Sequence, residues 1–168
     1  AKTGRCAILF PHGVLFRREE ADMRRRLIEA DLVDCVVGLG PNLFYNSPME
    51  ACAVFCRSKK GPKKRGKVLL IDAVNEIARD RTVSFLRPGH QQRIEAAYDA
   101  FVDEEGFAKV ATVDEIAAHN FSLSIPLYVK RKEVTVATDA KREPSLAEAW
   151  ARWEESGRTF WNDMNEVG

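Results

Sequence analysis

The amino-acid sequence predicts an α/β fold, and within it the far half of an open sheet. Three apolar runs lie close together: Arg5–Phe10 (RCAILF), Leu32–Leu39 (LVDCVVGL) and Ala51–Cys56 (ACAVFC). The first two are joined through an Arg-rich helical segment and the last two by a loop. No glycine-rich phosphate loop precedes them, although a doubly wound nucleotide-binding fold normally places its cofactor loop after its first strand. The chain opens directly on a strand, so the sequence reads as the C-terminal part of a larger enzyme.

Each element follows from pattern. After Arg5 the first run is continuously apolar, as expected of a strand buried on both faces, and Pro11 and Gly13 end it. From Glu19 to Ala30 the apolar positions Met23, Leu27 and Ile28 recur at helical spacing, with Glu19, Glu20, Arg24, Arg25 and Arg26 on the polar face. Gly40, Pro41, Asn42 and Asn46 to Pro48 mark a long loop with Leu43, Phe44 and Tyr45 at its middle. Arg57–Lys67 (RSKKGPKKRGK) is a basic turn with seven Lys or Arg. Lys67–Ala73 (KVLLIDA) follows as a strand expected to pair with Ala51–Cys56 as an antiparallel hairpin. Asn75–His90 reads as a polar connector, and Gln91–Asp103 as a helix. Thr112 and Glu115 are spaced as a capping box for a short helix ending near His119. Phe121–Val129 (FSLSIPLYV) reads as extended, limited by Pro126 to an edge or a path outside the sheet. These elements give a domain over residues 1–129, a charged linker over 130–144 and a terminal helix over 145–168. In that helix Leu146, Trp150, Trp153, Gly157, Phe160 and Met164 form a heptad-like seam, which needs a surface to pack against.

Composition narrows the function little. Hydrophobic content of 45% with three Trp and nine Phe indicates a packed core. With 26 basic and 25 acidic residues, overall charge nominates no partner, and only local clusters can. Cys6, Cys35, Cys52 and Cys56 lie within the apolar runs at spacings that suit buried free thiols in a reducing cytosol, with no metal site. The longest apolar runs fall short of a membrane span of about 20 residues, and the opening residues lack the pattern of a secretory signal. No membrane is expected, and a cytoplasmic location is.

Candidate residues divide between a chemical role and a bland one. An exposed Phe44 or Tyr45 could stack on a nucleobase, since every base offers a π-face; equally, either could plug the loop into the core. Lys59, Lys60, Lys63, Lys64 and Arg65 in the basic turn could contact phosphates or simply face water. Arg17, Arg18, Arg24, Arg25 and Arg26 read as helix surface. Asp31, Asp34 and Asp72 form neither an acid–base pair nor a metal cluster. His12, just past the end of a strand, sits where α/β sites often lie.

The segment GRCAILFPHGVLFRREEADMRRRLIEADLVDCVVGLGPNLFYNSPMEACAVFCRSKK resembles the N6-adenine DNA methyltransferase domain of modification subunits of type I restriction-modification systems. KGPKKRGKVLLIDA, NFSLSIPLYV and the terminal helix resemble the same subunits. The resemblance implies the C-terminal part of a Rossmann-like, S-adenosylmethionine-dependent methyltransferase sheet that ends in an antiparallel strand pair, with C-terminal helices beyond it. On that pattern Arg5–Phe10, Leu32–Leu39 and Ala51–Cys56 are the fifth, sixth and seventh strands. Phe44, with Tyr45 as the neighbouring alternative, matches the aromatic that packs against a flipped adenine. The family's catalytic Asn-Pro-Pro-aromatic motif does not occur in this sequence, so no catalytic residue is expected within it and the chain alone should be silent, without bound S-adenosylmethionine. The implied partners are DNA, a specificity subunit met through Leu146, Trp150, Trp153, Phe160 and Met164, and a restriction subunit. The alternative is a protein-interaction remnant that binds a partner through the same Trp-rich helix and does no chemistry.

Overall fold

The computed structural model describes residues 3–44, 47–81, 83–130 and 150. Contacts divide the chain into two units, Ala1–Lys132 and Glu133–Gly168. In the first, the elements run β1 (Arg5–Pro11), α1 (Ala21–Glu29), β2 (Val33–Leu39), β3 (Ala51–Arg57), β4 (Lys67–Ala73), β5 (Ala78–Asp80), β6 (Val83–Phe85), α2 (Pro88–Ala100), β7 (Ala108–Thr112) and α3 (Val113–Ala118). Of the second unit only Trp150 is described; it is helical and exposed. The expected linker is otherwise outside the described residues, as is the rest of the terminal helix.

The most apolar sequence occupies the middle of the main sheet. β2 and β4 are buried almost throughout and pair in parallel, Cys35 opposite Leu69 and Leu39 opposite Ala73. Continuous aliphatic runs suit strands covered on both faces. The order is β1-β3-β2-β4-β7, with β3 antiparallel to both β1 and β2, and β7 antiparallel to β4. Alternate residues point to opposite faces. Val36, Val68 and Leu70 join Leu15, Ile28, Ile116 and Ile125 in one core. Cys35, Val37, Leu69 and Ile71 join Ala97 and Phe107 in the other.

The expected hairpin of β3 and β4 does not form. Both edges of β3 are taken by β1 and β2, so β4 crosses to the far side of β2. The sheet therefore continues past the antiparallel strand. β1 is exposed along most of its length, with Ile8 at 41% and Leu9 at 50%, where burial on both faces was expected. It sits at the sheet's end, paired with β3 alone. Cys6 is exposed for the same reason, whereas Cys35 and Cys52 are buried. The thiol of Cys52 is pushed up to about 12 by burial.

The capping box at Thr112 forms as expected. Thr112 Oγ1 accepts from the Glu115 N–H, and Glu115 Oε2 accepts from the Thr112 N–H at 2.7 Å. Such a cap stabilises a helix by about 1 kcal/mol. Residues 121–129 do not run extended. A 3-10 turn over Ile125–Leu127 folds the segment so that Leu123, Ile125 and Val129 are buried. The expected polar connector contains a second sheet, the β5–β6 hairpin. Among the described residues no helix is long and apolar enough to cross a membrane.

Candidate nucleic-acid interface

β1 and β2 both run against β3, and β4 runs with β2. The C-terminal ends of β1, β2 and β4 therefore share one edge of the sheet, and the loops that leave it are neighbours. The loop from Gly40 to Glu50 leaves β2 at this edge. Gly40 is required there: a Cβ would stand 2.4 Å from the Val74 carbonyl oxygen, just past β4. The Asn42 carbonyl accepts from the Ser84 N–H at 2.9 Å, which fixes the loop to the β5–β6 hairpin. Asn42 takes the left-handed conformation, φ 60°, which asparagine tolerates well. Two residues on, Phe44 bridges to Ser47 and leaves 37% of its surface exposed.

At the β1 end the same loop is held by His12. Its N–H donates to the Glu50 carbonyl at 3.3 Å, and its Nδ1 lies 3.1 Å from Glu50 Oε2. His12 Nε2 is buried and has no hydrogen-bond partner among the described residues. Phe16, 53% exposed, meets the His12 ring edge-on. Met49, in the loop itself, is also exposed. The edge is thus a shelf of exposed apolar side chains among the described residues.

Arg24 holds the segment that follows β1. Expected on the helix surface, it is 4% exposed. Its guanidinium donates to the carbonyls of Val14 at 2.9 Å, Arg17 at 2.7 Å and Phe121 at 3.1 Å. Burial pushes its pKa down and Glu20 partly offsets this. Three carbonyls gathered by one planar cation pin the segment after β1, which leaves Arg17 and Arg18 exposed beside the shelf.

The basic turn lies at the other edge, because it leaves the C-terminal end of β3, which runs the opposite way. Seven residues of β3 place about 20 Å between the two edges. Within the turn, Lys60 cannot meet phosphate as expected. It is 4% exposed, and its Nζ donates to Asp31 Oδ1 at 2.6 Å and to the Lys67 carbonyl at 2.7 Å. Lys64 lies over the rings of Tyr98 and Phe101, 4.4 and 4.5 Å from their centroids. Lys59, Lys63 and Arg65 are exposed. Nearby, Asp34 is buried and accepts from Tyr98 Oη at 2.7 Å, while Arg57 donates to the same Oη at 3.1 Å.

Of the described residues singled out in the sequence, Phe44 and His12 reach the shelf, with Arg17 and Arg18 beside it. Tyr45 lies outside the described residues, as do Leu146, Trp153, Phe160 and Met164. Trp150 is 60% exposed. Sequence reasoning missed Glu50, the Arg24 brace and the β5–β6 hairpin. Glu50 carried no periodic signal. The hairpin hid because its turn lacks the usual Gly or Asn.

A groove of about 340 Å³ opens on one face of the sheet beside α2, lined by Val37, Leu39, Phe55, Leu86 and Ile94, with Gln91 and Glu95 among its polar members. S-adenosylmethionine carries a ribose diol and an amino-acid zwitterion, which require carboxylate and backbone N–H partners. This apolar lining does not fit it.

A mixed sheet with an antiparallel strand between parallel neighbours, and an exposed aromatic in the loop at their C-terminal edge, defines an α/β unit. The chain belongs to the N-6 DNA Methylase family, which it matches over residues 1–136. It is similar to the type I restriction enzyme MjaVIII methylase subunit of Methanocaldococcus jannaschii, at 33% identity over 74% of this chain and 22% of that protein. The type I restriction enzyme HindI methylase subunit of Haemophilus influenzae is 32% identical over 77% of this chain and 31% of its own length. The chain thus spans less than a third of these relatives. Among solved structures, the type I restriction-modification system methyltransferase subunit from Streptococcus thermophilus superposes with a TM-score of 0.71 at 32% identity, over 76% of this chain and 27% of that one.

Proposed function

We propose that this chain is the C-terminal part of the modification subunit of a type I restriction-modification system. The complete subunit would transfer a methyl group from S-adenosylmethionine to N6 of adenine in DNA. The order β1-β3-β2, with β3 reversed between two parallel strands, supports reading these as the fifth, seventh and sixth strands of the methyltransferase sheet. This part would supply one wall of the pocket that receives the extruded adenine, and the chain alone would neither bind the cofactor nor transfer methyl groups. The terminal helix would meet the specificity subunit, with the restriction subunit joining the larger assembly in the cytoplasm.

One observation carries the base-wall reading: Phe44 is exposed on a loop held at both ends, and is not plugged into the core. Base–aromatic stacking contributes about 1–3 kcal/mol. In the complete subunit, Phe44→Ala should therefore lower base capture about ten- to a hundredfold, read as fluorescence of 2-aminopurine at the target position, with an unchanged melting temperature. This chain by itself serves as the blank for methyl transfer. A silent Phe44→Ala beside a damaging Tyr45→Ala would move the stacking face by one residue. Silence of both would sink the base-wall reading.

A further inference from the structure

The β5–β6 hairpin touches the loop that carries Phe44. Ser84, 3% exposed, donates its N–H to the Asn42 carbonyl, and Gly40 packs against Val74 on the stretch that leads into β5. Above this anchor the hairpin stands in solvent. Arg79, Arg81 and Arg87 are exposed, and among the described residues none of them makes an ion pair. Asp80 is the one acid among them, and the nearby Glu76 carboxylate is already taken by Arg93. Val83 and Phe85 are also exposed, at 59% and 42%, and the Arg87 guanidinium lies 5.8 Å from the centroid of the Phe85 ring.

The turn is unusual in its chemistry. β5 and β6 pair from Asp80 opposite Val83, and Arg81, which follows β5, has φ 52°. Tight hairpin turns of this kind favour Asn or Gly because the left-handed backbone strains other side chains. A long cation therefore occupies a position where glycine would be more stable. Arg81 is exposed at the tip of the hairpin, three residues before Ser84.

We propose that the β5–β6 hairpin is an arm that contacts the phosphates of duplex DNA, with Arg81 at its tip and Arg79 and Arg87 beside it. This rests on the reading that the neighbouring loop receives an extruded base. Three unpaired guanidinium groups on a short, anchored arm complement a polyanion that passes over the shelf. The basic turn lies across the sheet, at the opposite edge. Phosphate contacts of this kind fix position without reading sequence. An arm that grips the backbone beside Phe44 would hold the strand on which a base is turned out.

The test is the salt dependence of binding of the complete subunit to a fluorescein-labelled duplex. Each phosphate contact contributes about 0.9 to the slope of log affinity against log salt. Replacing Arg79, Arg81 and Arg87 together with alanine should make the slope shallower by about 2–3. Arg81→Gly should lower it by about 0.9 while the melting temperature holds or rises, because the backbone strain is relieved. Arg81→Lys should retain the slope. An unchanged slope in the triple variant, with Phe44→Ala still impaired in base capture, would overturn the arm and leave the base wall standing. Loss of subunit assembly with an unchanged slope would likewise overturn it, assigning Val83 and Phe85 to a protein contact. A complete subunit that binds no duplex would remove both readings.

Discussion

Lys60 offers a clean separation between a cation that holds the fold and one that holds a ligand. Its amine is buried between the Asp31 carboxylate and the Lys67 carbonyl. Lys60→Met keeps the aliphatic stem and removes the amine. The Lys67 carbonyl would then lose a charged donor, and an unmet buried acceptor costs about 1–3 kcal/mol. Breaking a fully buried ion pair costs about 3–5 kcal/mol, but Asp31 is 33% exposed and still accepts from the Gly66 N–H, so it can rehydrate. The expected loss is about 2–4 kcal/mol. For a domain of this size that corresponds to a fall in melting temperature of roughly 5–15 °C. Differential scanning calorimetry of the chain would measure it, with Lys63→Ala as a comparison expected to change little. In the complete subunit the salt slope of DNA binding should not move with Lys60→Met. A stable Lys60→Met variant with a shallower slope would refute the brace and return Lys60 to the phosphate-contacting set.

The Glu115 carboxyl is held below its ordinary range by the hydrogen bond from the Thr112 N–H. Because the folded value is depressed, its contribution is fully present above the usual glutamate range of about 4–5 and is lost as pH falls through the lower folded value. Glu115→Gln should flatten that acid limb of stability in pH-dependent thermal melts; an unchanged limb would show that the cap is not titrating. In the terminal helix, Trp150→Ala with Trp153→Ala should weaken assembly with a specificity subunit by about tenfold or more, since buried aromatic anchors at interfaces contribute roughly 2 kcal/mol each or more. A large fall in melting temperature with normal assembly would instead assign the helix to its own core.

The central strands were legible because their physics is local. A run such as VLLI in β4 can only be buried, and Thr112 with Glu115 encodes its own cap. Partners were less legible. Nothing in the sequence of β3 says that both its edges are taken, which is why β4 was expected beside it and lies instead beside β2. Ala-rich β7 carries too little side-chain signal to declare itself. The Arg24 brace depends on carbonyls of Val14, Arg17 and Phe121, and a backbone oxygen leaves no trace in a residue pattern. The exposed loop aromatic at Phe44 was legible as a candidate, but its exposure was not.

The basic residues make the same point about function. Read along the chain, Arg57–Lys67 is the densest cluster of positive charge and the natural place to seek phosphate. In three dimensions Lys60 is buried and Lys64 lies over two aromatic rings, so part of that charge is spent on joining β3, β4 and α2. The arginines near the Phe44 loop are sparser in sequence, divided between residues 17–18 and 79–87, and topology alone brings both groups to one edge. Exposed, unpaired cations contribute to a polyanion's binding, whereas buried ones contribute to the fold. Charge density in the sequence and strand direction in the fold therefore single out different edges of this sheet, and the salt slopes of the two sets of variants separate them.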